Sequence, residues 1–137
     1  MAERPGLVRR LRAALGRRHV LDDTAARLVY ARDASHLRLG RPLCVCLPGD
    51  AAQVAEAVGL CAEAGVPFVA RGAGSGLAGG ALPPEGAVVI SLARLTDVGA
   101  SPAGRPDEVL AGAGVPNAAL NRRLAREIGR ASCRERV

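Results

Sequence analysis

The sequence predicts an α+β domain with a βαβ start, preceded by N-terminal helices, and three observations carry that prediction. Two short apolar runs, Leu43 to Leu47 and Val66 to Ala70, flank a stretch of helical periodicity, so strand, helix and strand follow one another within about 30 residues. A third apolar run, Ala87 to Leu92, comes after a loop in which half of ten residues are glycine. At 137 residues the chain is long enough for one small domain with a real core, since a chain of this size buries roughly two thirds of its unfolded surface.

From Pro5 to about Leu15, the residues Leu7, Val8, Leu11, Ala14 and Leu15 fall on one helical face, which predicts a docking helix. Asp22, Asp23 and Thr24 offer N-cap chemistry for a short second helix through Val29, and a loop follows around Asp33 and Ser35. The run Leu43 to Leu47 ends at Pro48 and Gly49, as a buried strand entering a turn does. Asp50 then caps a helix whose Val54, Ala57, Val58 and Cys61 repeat at helical spacing and whose end falls at Gly65. Val66 to Ala70 closes the βαβ unit, and a right-handed crossover sets its two strands parallel in one sheet. Farther on, Val109 to Ala111 reads as another strand and Asn117 as the cap of a helix running toward Arg126.

Composition narrows the functional classes. Apolar residues make up 49% and charged residues 23%, which places the chain among globular proteins and away from disordered ones. Tyr30 and Phe68 are the only aromatics, so a core of Ala, Val and Leu is expected and stacking platforms for single-stranded nucleic acid are lacking. The net charge is +6 and every basic residue is Arg, a pattern that reads first as codon bias in a GC-rich genome. Arg9, Arg10, Arg12, Arg17 and Arg18 cluster near the N-terminus and read as a solvated helix face, with a basic nucleic-acid-binding module as the competing reading. Cys44, Cys46, Cys61 and Cys133 lack the paired spacing of a zinc site; Cys44 and Cys46, two apart, belong on one face of a strand as small apolar core residues. No apolar run reaches the roughly 18 residues that span a membrane, and no signal-peptide core follows the N-terminal charges.

The chemistry is concentrated in Arg71-Gly72-Ala73-Gly74-Ser75-Gly76-Leu77-Ala78-Gly79-Gly80. Glycines gather where backbone must approach a ligand closely, and successive free N–H groups in such a loop make an anion nest whose usual guest is phosphate. Arg71 adds positive charge at the mouth of the loop and Ser75 a hydroxyl donor. The stretch Gly74 to Gly79 also satisfies GxGxxG, with Asp97 about 20 residues on, which keeps an NAD-dependent Rossmann dehydrogenase as an alternative. That fingerprint needs a helix opening at its third glycine, yet Pro83 and Pro84 and then an apolar run follow. With no Lys in the chain, a Walker loop is excluded.

The run from Arg41 to Val98 resembles the start of the FAD-binding domain of the vanillyl-alcohol-oxidase, or PCMH, type, and within it the glycolate oxidase FAD subunit and bacterial D-lactate dehydrogenases. The features that carry it are Pro48 followed by a helix with Val54, the block GVPFVARGAGSGLAGGAL, and the downstream VVISLARL; the lead-in YARDAS, Tyr30 to Ser35, is similar too. The resemblance implies a loop, Arg71, Gly72, Ala73, Gly74, Ser75 and Gly76 with Gly79 and Gly80 behind, that wraps the FAD pyrophosphate. Relatives that bind flavin covalently carry a His where Ser75 stands, so the resemblance implies non-covalent FAD. It further implies a small 2-hydroxy-acid substrate, such as glycolate or D-lactate, and an iron–sulfur electron-acceptor subunit as partner.

The family's second glycine-containing stretch and its substrate domain, with their catalytic His and Arg groups, have no counterpart here, so a truncated, inactive N-terminal fragment is expected and no catalytic residue is assigned. His36 reads as a surface loop residue and Asp33 as a turn residue. The expected organisation is a helical lead-in at 1–40, the first part of the FAD-binding domain at 41–126, and a tail at 127–137 that resembles one translated frame of a sequencing adapter and leaves Cys133 without meaning. A cytoplasmic location is expected, with peripheral attachment to the inner membrane left open for the full-length form.

Overall fold

In a computed structural model of the chain, which describes residues 4–99 and 108–127, four strands form one mixed sheet. The elements in order are α1 (Arg4–Leu15), a 3-10 turn (Arg17–His19), β1 (Val20–Leu21), α2 (Thr24–Tyr30), β2 (Cys44–Cys46), α3 (Ala51–Glu63), β3 (Phe68–Arg71), β4 (Val88–Ser91) and α4 (Asn117–Glu127). The sheet order is β1-β2-β4-β3, with β1 antiparallel to β2 and both other pairings parallel. The βαβ unit β2-α3-β3 is therefore present with its strands parallel, and β4 is inserted between them.

Local chemistry explains the helix starts. The Asp23 carboxylate accepts from the Ala26 N–H at 2.9 Å at the start of α2. At α3, Asp50 accepts from the Gln53 N–H at 2.8 Å while the Gln53 side-chain oxygen accepts from the Gly49 N–H at 2.8 Å, so two otherwise unpaired donors are satisfied reciprocally.

Strand register sorts the side chains onto two faces. Cys44, Cys46, Val88 and Ile90 share a pleat phase, and with Val20 they pack under α1 and α3 through Leu7, Val8, Leu11, Leu15, Ala57 and Cys61. The exposed flank of this helix pair carries an ion pair between Arg10 and Glu63, and Arg12 meets Asp22 at 2.7 Å. Val45, Val89, Ser91 and Arg71 have the opposite phase. Arg71 reaches the end of α2 from there, so α2, which packs on β2, lies on the second face.

The structure differs from the sequence reading in detail. β1 and the 3-10 turn were not expected, because two residues carry no periodicity. Val109 to Ala111 contributes one isolated bridge, Ala111 to Val98, instead of a strand. Residues 128–137, with most of the expected adapter-like tail and Cys133, lie outside the described residues.

Cys44, Cys46 and Cys61 are free and fully buried, as the apolar-core reading required. The Cys46 thiol is pushed up by its hydrogen bond with Cys44 and then by burial; the Cys61 thiol is raised from 9.0 to about 11, by burial first and by Cys44 second. Because the folded values lie above the unfolded one, the protons they retain stabilise the fold below about pH 9, and that contribution is lost as pH rises toward 11. Two outcomes follow. Iodoacetamide at about pH 8 leaves these three thiols unmodified in the folded chain and labels them in urea, and the unfolding free energy falls between pH 9 and 11; mass spectrometry and urea titration measure both.

Candidate functional site

The glycine loop leaves the C-terminal end of β3, the end of a parallel sheet where ligands of α/β units sit. From Arg71 it runs through Gly72, Ala73, Gly74, Ser75 and Gly76, turns at Gly79 and Gly80, and enters β4 past Pro83 and Pro84. Among the described residues, none of the amide N–H groups from Ala73 to Ala81 donates to a protein acceptor. Buried amides are nearly always paired, so a run of unpaired ones is held out toward solvent or a ligand. Ser75 is exposed, and a Cβ at Gly72, Gly76 or Gly80 would meet nothing within 4 Å, which leaves room for a bulky group against the backbone.

The loop is fixed from behind by the lead-in. Arg71 Nη1 donates to the Arg32 carbonyl at 2.6 Å, and its guanidinium carbon lies 5.3 Å from the centre of the Tyr30 ring, within cation–π range. The Ala34 N–H donates to the Gly74 carbonyl at 3.0 Å. Gly74 has φ 71, and a Cβ there would collide with the Arg71 guanidinium, so this position needs glycine for both its backbone angle and its neighbour. Arg71 thus brings its charge to the base of the loop, where the sequence reading expected it at the mouth, and commits one donor to the protein.

Three polar residues complete the surroundings. The Asp33 carboxylate accepts from the Ser35 N–H at 2.9 Å and the Ser35 hydroxyl at 2.5 Å, which closes the lead-in turn and leaves the buried Oδ2 without a partner. Ser91, paired with Arg71 in the sheet, is 1% exposed and its hydroxyl is also unpartnered. Sequence reasoning found Asp33 as a turn residue but missed Tyr30, Arg32 and Ser91 as neighbours of the loop. The Asp33-Ala34-Ser35 spacing was a usable signal for the turn; nothing local pointed to the other three. His36 is exposed, as a surface residue would be.

This arrangement can hold an anion, by amide donors, a serine hydroxyl and a nearby guanidinium. No helix lies between Gly72 and Ala87, so the loop cannot use a helix dipole, and the Rossmann alternative loses the element it requires. Asp97 is exposed, with its carbonyl accepting from Gly112, and caps no strand beside the loop.

A glycine loop with unpaired amides at the end of a parallel strand, without a following helix, is compatible with a nucleotide-binding domain that is not of the Rossmann type. The chain belongs to the FAD binding domain family, whose sequence pattern matches residues 42–133, and FAD is its cofactor. It is 42% identical over 86 residues to the glycolate oxidase subunit GlcD of Escherichia coli strain K12, covering 62% of this chain and 17% of that protein. To GlcD of Bacillus subtilis strain 168 it is 34% identical over 77 residues, covering 56% of this chain and 16% of that protein. The chain therefore spans about a sixth of the length of these relatives. Among solved structures, p-cresol methylhydroxylase with substrate bound superposes with a TM-score of 0.76 at 20% identity, over 93% of this chain and 25% of that one. The isoeugenol complex of 4-ethylphenol oxidase from Gulosibacter chungangensis gives 0.76 at 22%, over 95% and 26%. These likenesses confirm the PCMH-type α+β fold.

Substitutions in the loop separate shape from space. Gly74→Ala should destabilise the chain by about 1–2 kcal/mol through its positive φ and the Arg71 contact, whereas Gly76→Ala should stay within about 0.5 kcal/mol. Urea unfolding of the two variants measures this, and equal losses would mean that the Arg71 contact does not set the loop.

Proposed function

We propose that the chain is the first part of the FAD domain of an oxidoreductase that oxidises a small 2-hydroxy acid, glycolate or D-lactate. The observation that carries the reading is the run of unpaired amides from Ala73 to Ala81. In this reading Arg71, Gly72, Ala73, Gly74, Ser75, Gly76, Gly79 and Gly80 hold the FAD pyrophosphate, with amides and the Ser75 hydroxyl donating to its oxygens and Arg71 supplying charge. Bound there, the flavin supplies a hydride acceptor that passes electrons onward. The residues fit that group: donors face outward, and the backbone at Gly72, Gly76 and Gly80 is bare.

Ser75 offers no nucleophile of the histidine type, which supports non-covalent binding. The loop forms one wall of a cofactor site, and no base or carboxylate clamp for a hydroxy acid is assigned among residues 1–137. We therefore read the chain by itself as inactive and weak in FAD affinity, with 41–126 as the incomplete FAD part, 1–40 as its lead-in and 127–137 as outside the domain. An iron–sulfur subunit as electron acceptor and a cytoplasmic location, peripheral to the inner membrane in the full-length form, belong to the same reading. GlcD is named a subunit, and no described helix is long and apolar enough to cross a membrane.

The reading is tested by purifying this chain and the complete flavoenzyme side by side. The chain alone should show no flavin absorbance. The complete protein should be yellow, release its flavin on acid precipitation, and be bleached anaerobically by glycolate or D-lactate. Stoichiometric flavin on the chain alone would overturn the fragment argument, and flavin retained in the acid pellet would overturn the role given to Ser75.

A further inference from the structure

A second group of donors stands where β2 ends. The 3-10 turn Arg17–His19 leads into β1, which pairs antiparallel with β2, so the turn lies beside the C-terminal end of β2. The segment that leaves β4 carries Arg94 to the same place. Leu47 joins the two: its N–H donates to the His19 carbonyl at 2.8 Å, and its own carbonyl accepts from Arg94 Nη1 at 2.7 Å. The Arg94 guanidinium lies against Gly49, where a Cβ would stand 3.0 Å from Nη2, so the absence of a side chain there gives it room. Arg18 Nε donates to His19 Nε2 at 3.1 Å, which leaves the proton of the neutral ring on Nδ1.

These side chains gather positive charge without a counter-charge. Among the described residues the ion pairs are Arg10 with Glu63 and Arg12 with Asp22, and neither Arg18 nor Arg94 meets a carboxylate. Asp50, beside Gly49 in the chain, spends its Oδ1 on the Gln53 N–H. His19 is half-buried and is held below its ordinary value of 6.5 by burial first, then by Arg94 and then by Arg18, so the field of both arginines converges on its ring. Like charges brought together cost free energy that an anion between them recovers. His19 Nδ1–H, both Nη groups of Arg18 and Nη2 of Arg94 have no protein acceptor, so one oxyanion can draw on two arginines and a histidine.

We propose that Arg18, His19 and Arg94 form a second anion site, one that takes a phosphate group. Two guanidinium charges with no carboxylate beside them suit a phosphate, at about −1.5 to −2 near pH 7, better than a single carboxylate. The glycine loop leaves β3, whereas this group stands at β1 and β2 with β4 between, so the two hold separate anions. The site uses none of the loop's amides and does not rest on the FAD reading.

His19 and His36 are the chain's two histidines, so imidazole resonances report on the site and on an exposed control. The probe is inorganic phosphate, titrated into the 137-residue chain at constant ionic strength set by chloride, with both histidine pKa values followed by NMR. The His19 value should rise saturably while His36 stays in place, because an anion that favours the protonated ring must raise its pKa. Arg18→Gln should weaken the phosphate affinity roughly threefold or more, a scale set by exposed ion pairs. Arg18→Gln with Arg94→Gln should abolish the saturable rise, with circular dichroism confirming the fold; if Arg94→Gln unfolds the chain, Arg18→Gln alone decides. Two results would each overturn the proposal: an equal rise with acetate at the same ionic strength, which would be general screening, or a phosphate affinity untouched by Arg18→Gln.

Discussion

The guanidinium of Arg71 holds together the two chain segments that shape the glycine loop. It leaves β3 on the face opposite α1 and α3, donates to the Arg32 carbonyl and lies over Tyr30, while Ala34 donates to Gly74 from the same lead-in. These contacts come from behind the loop, so they fix its path without using its amides. An anion site needs both conditions, because donors that turn inward are lost to the ligand and donors on a slack loop must be ordered at binding. The positive φ at Gly74 and the space beneath it, which only a hydrogen leaves for the guanidinium, belong to the same constraint.

The sheet gives this loop its place. Parallel pairing of β2, β4 and β3 brings the ends of all three strands to one edge, and the insertion of β4 between the others seats the returning chain beside the strand that launches the loop. The helix-facing side is sealed by small apolar residues: with two aromatics in the whole chain, cysteines fill positions at the centre of the layer.

Much of this was legible in the sequence where the physics is local. Asp23 and Asp50 announced their helices because a cap bonds three residues ahead, and Cys44 and Cys46 announced a buried face because strand side chains alternate. The proline pair after the loop argued correctly against a Rossmann helix. What the sequence hid is long-range. Arg71 and Arg32 are 39 residues apart, β4 takes its place between β2 and β3 only through pairing, and β1 is too short to show a period. The buried hydroxyl of Ser91 became visible only once register set it beside Arg71.

In the proposed function the loop amides receive the pyrophosphate of FAD. Titrating ADP into the isotopically labelled chain and following backbone amide resonances tests it most directly. The largest shifts should fall on Ala73 through Ala81 and extend to Ala34, which is bonded to the loop. Amides of that loop unmoved at saturating ADP, with shifts appearing only elsewhere, would contradict it.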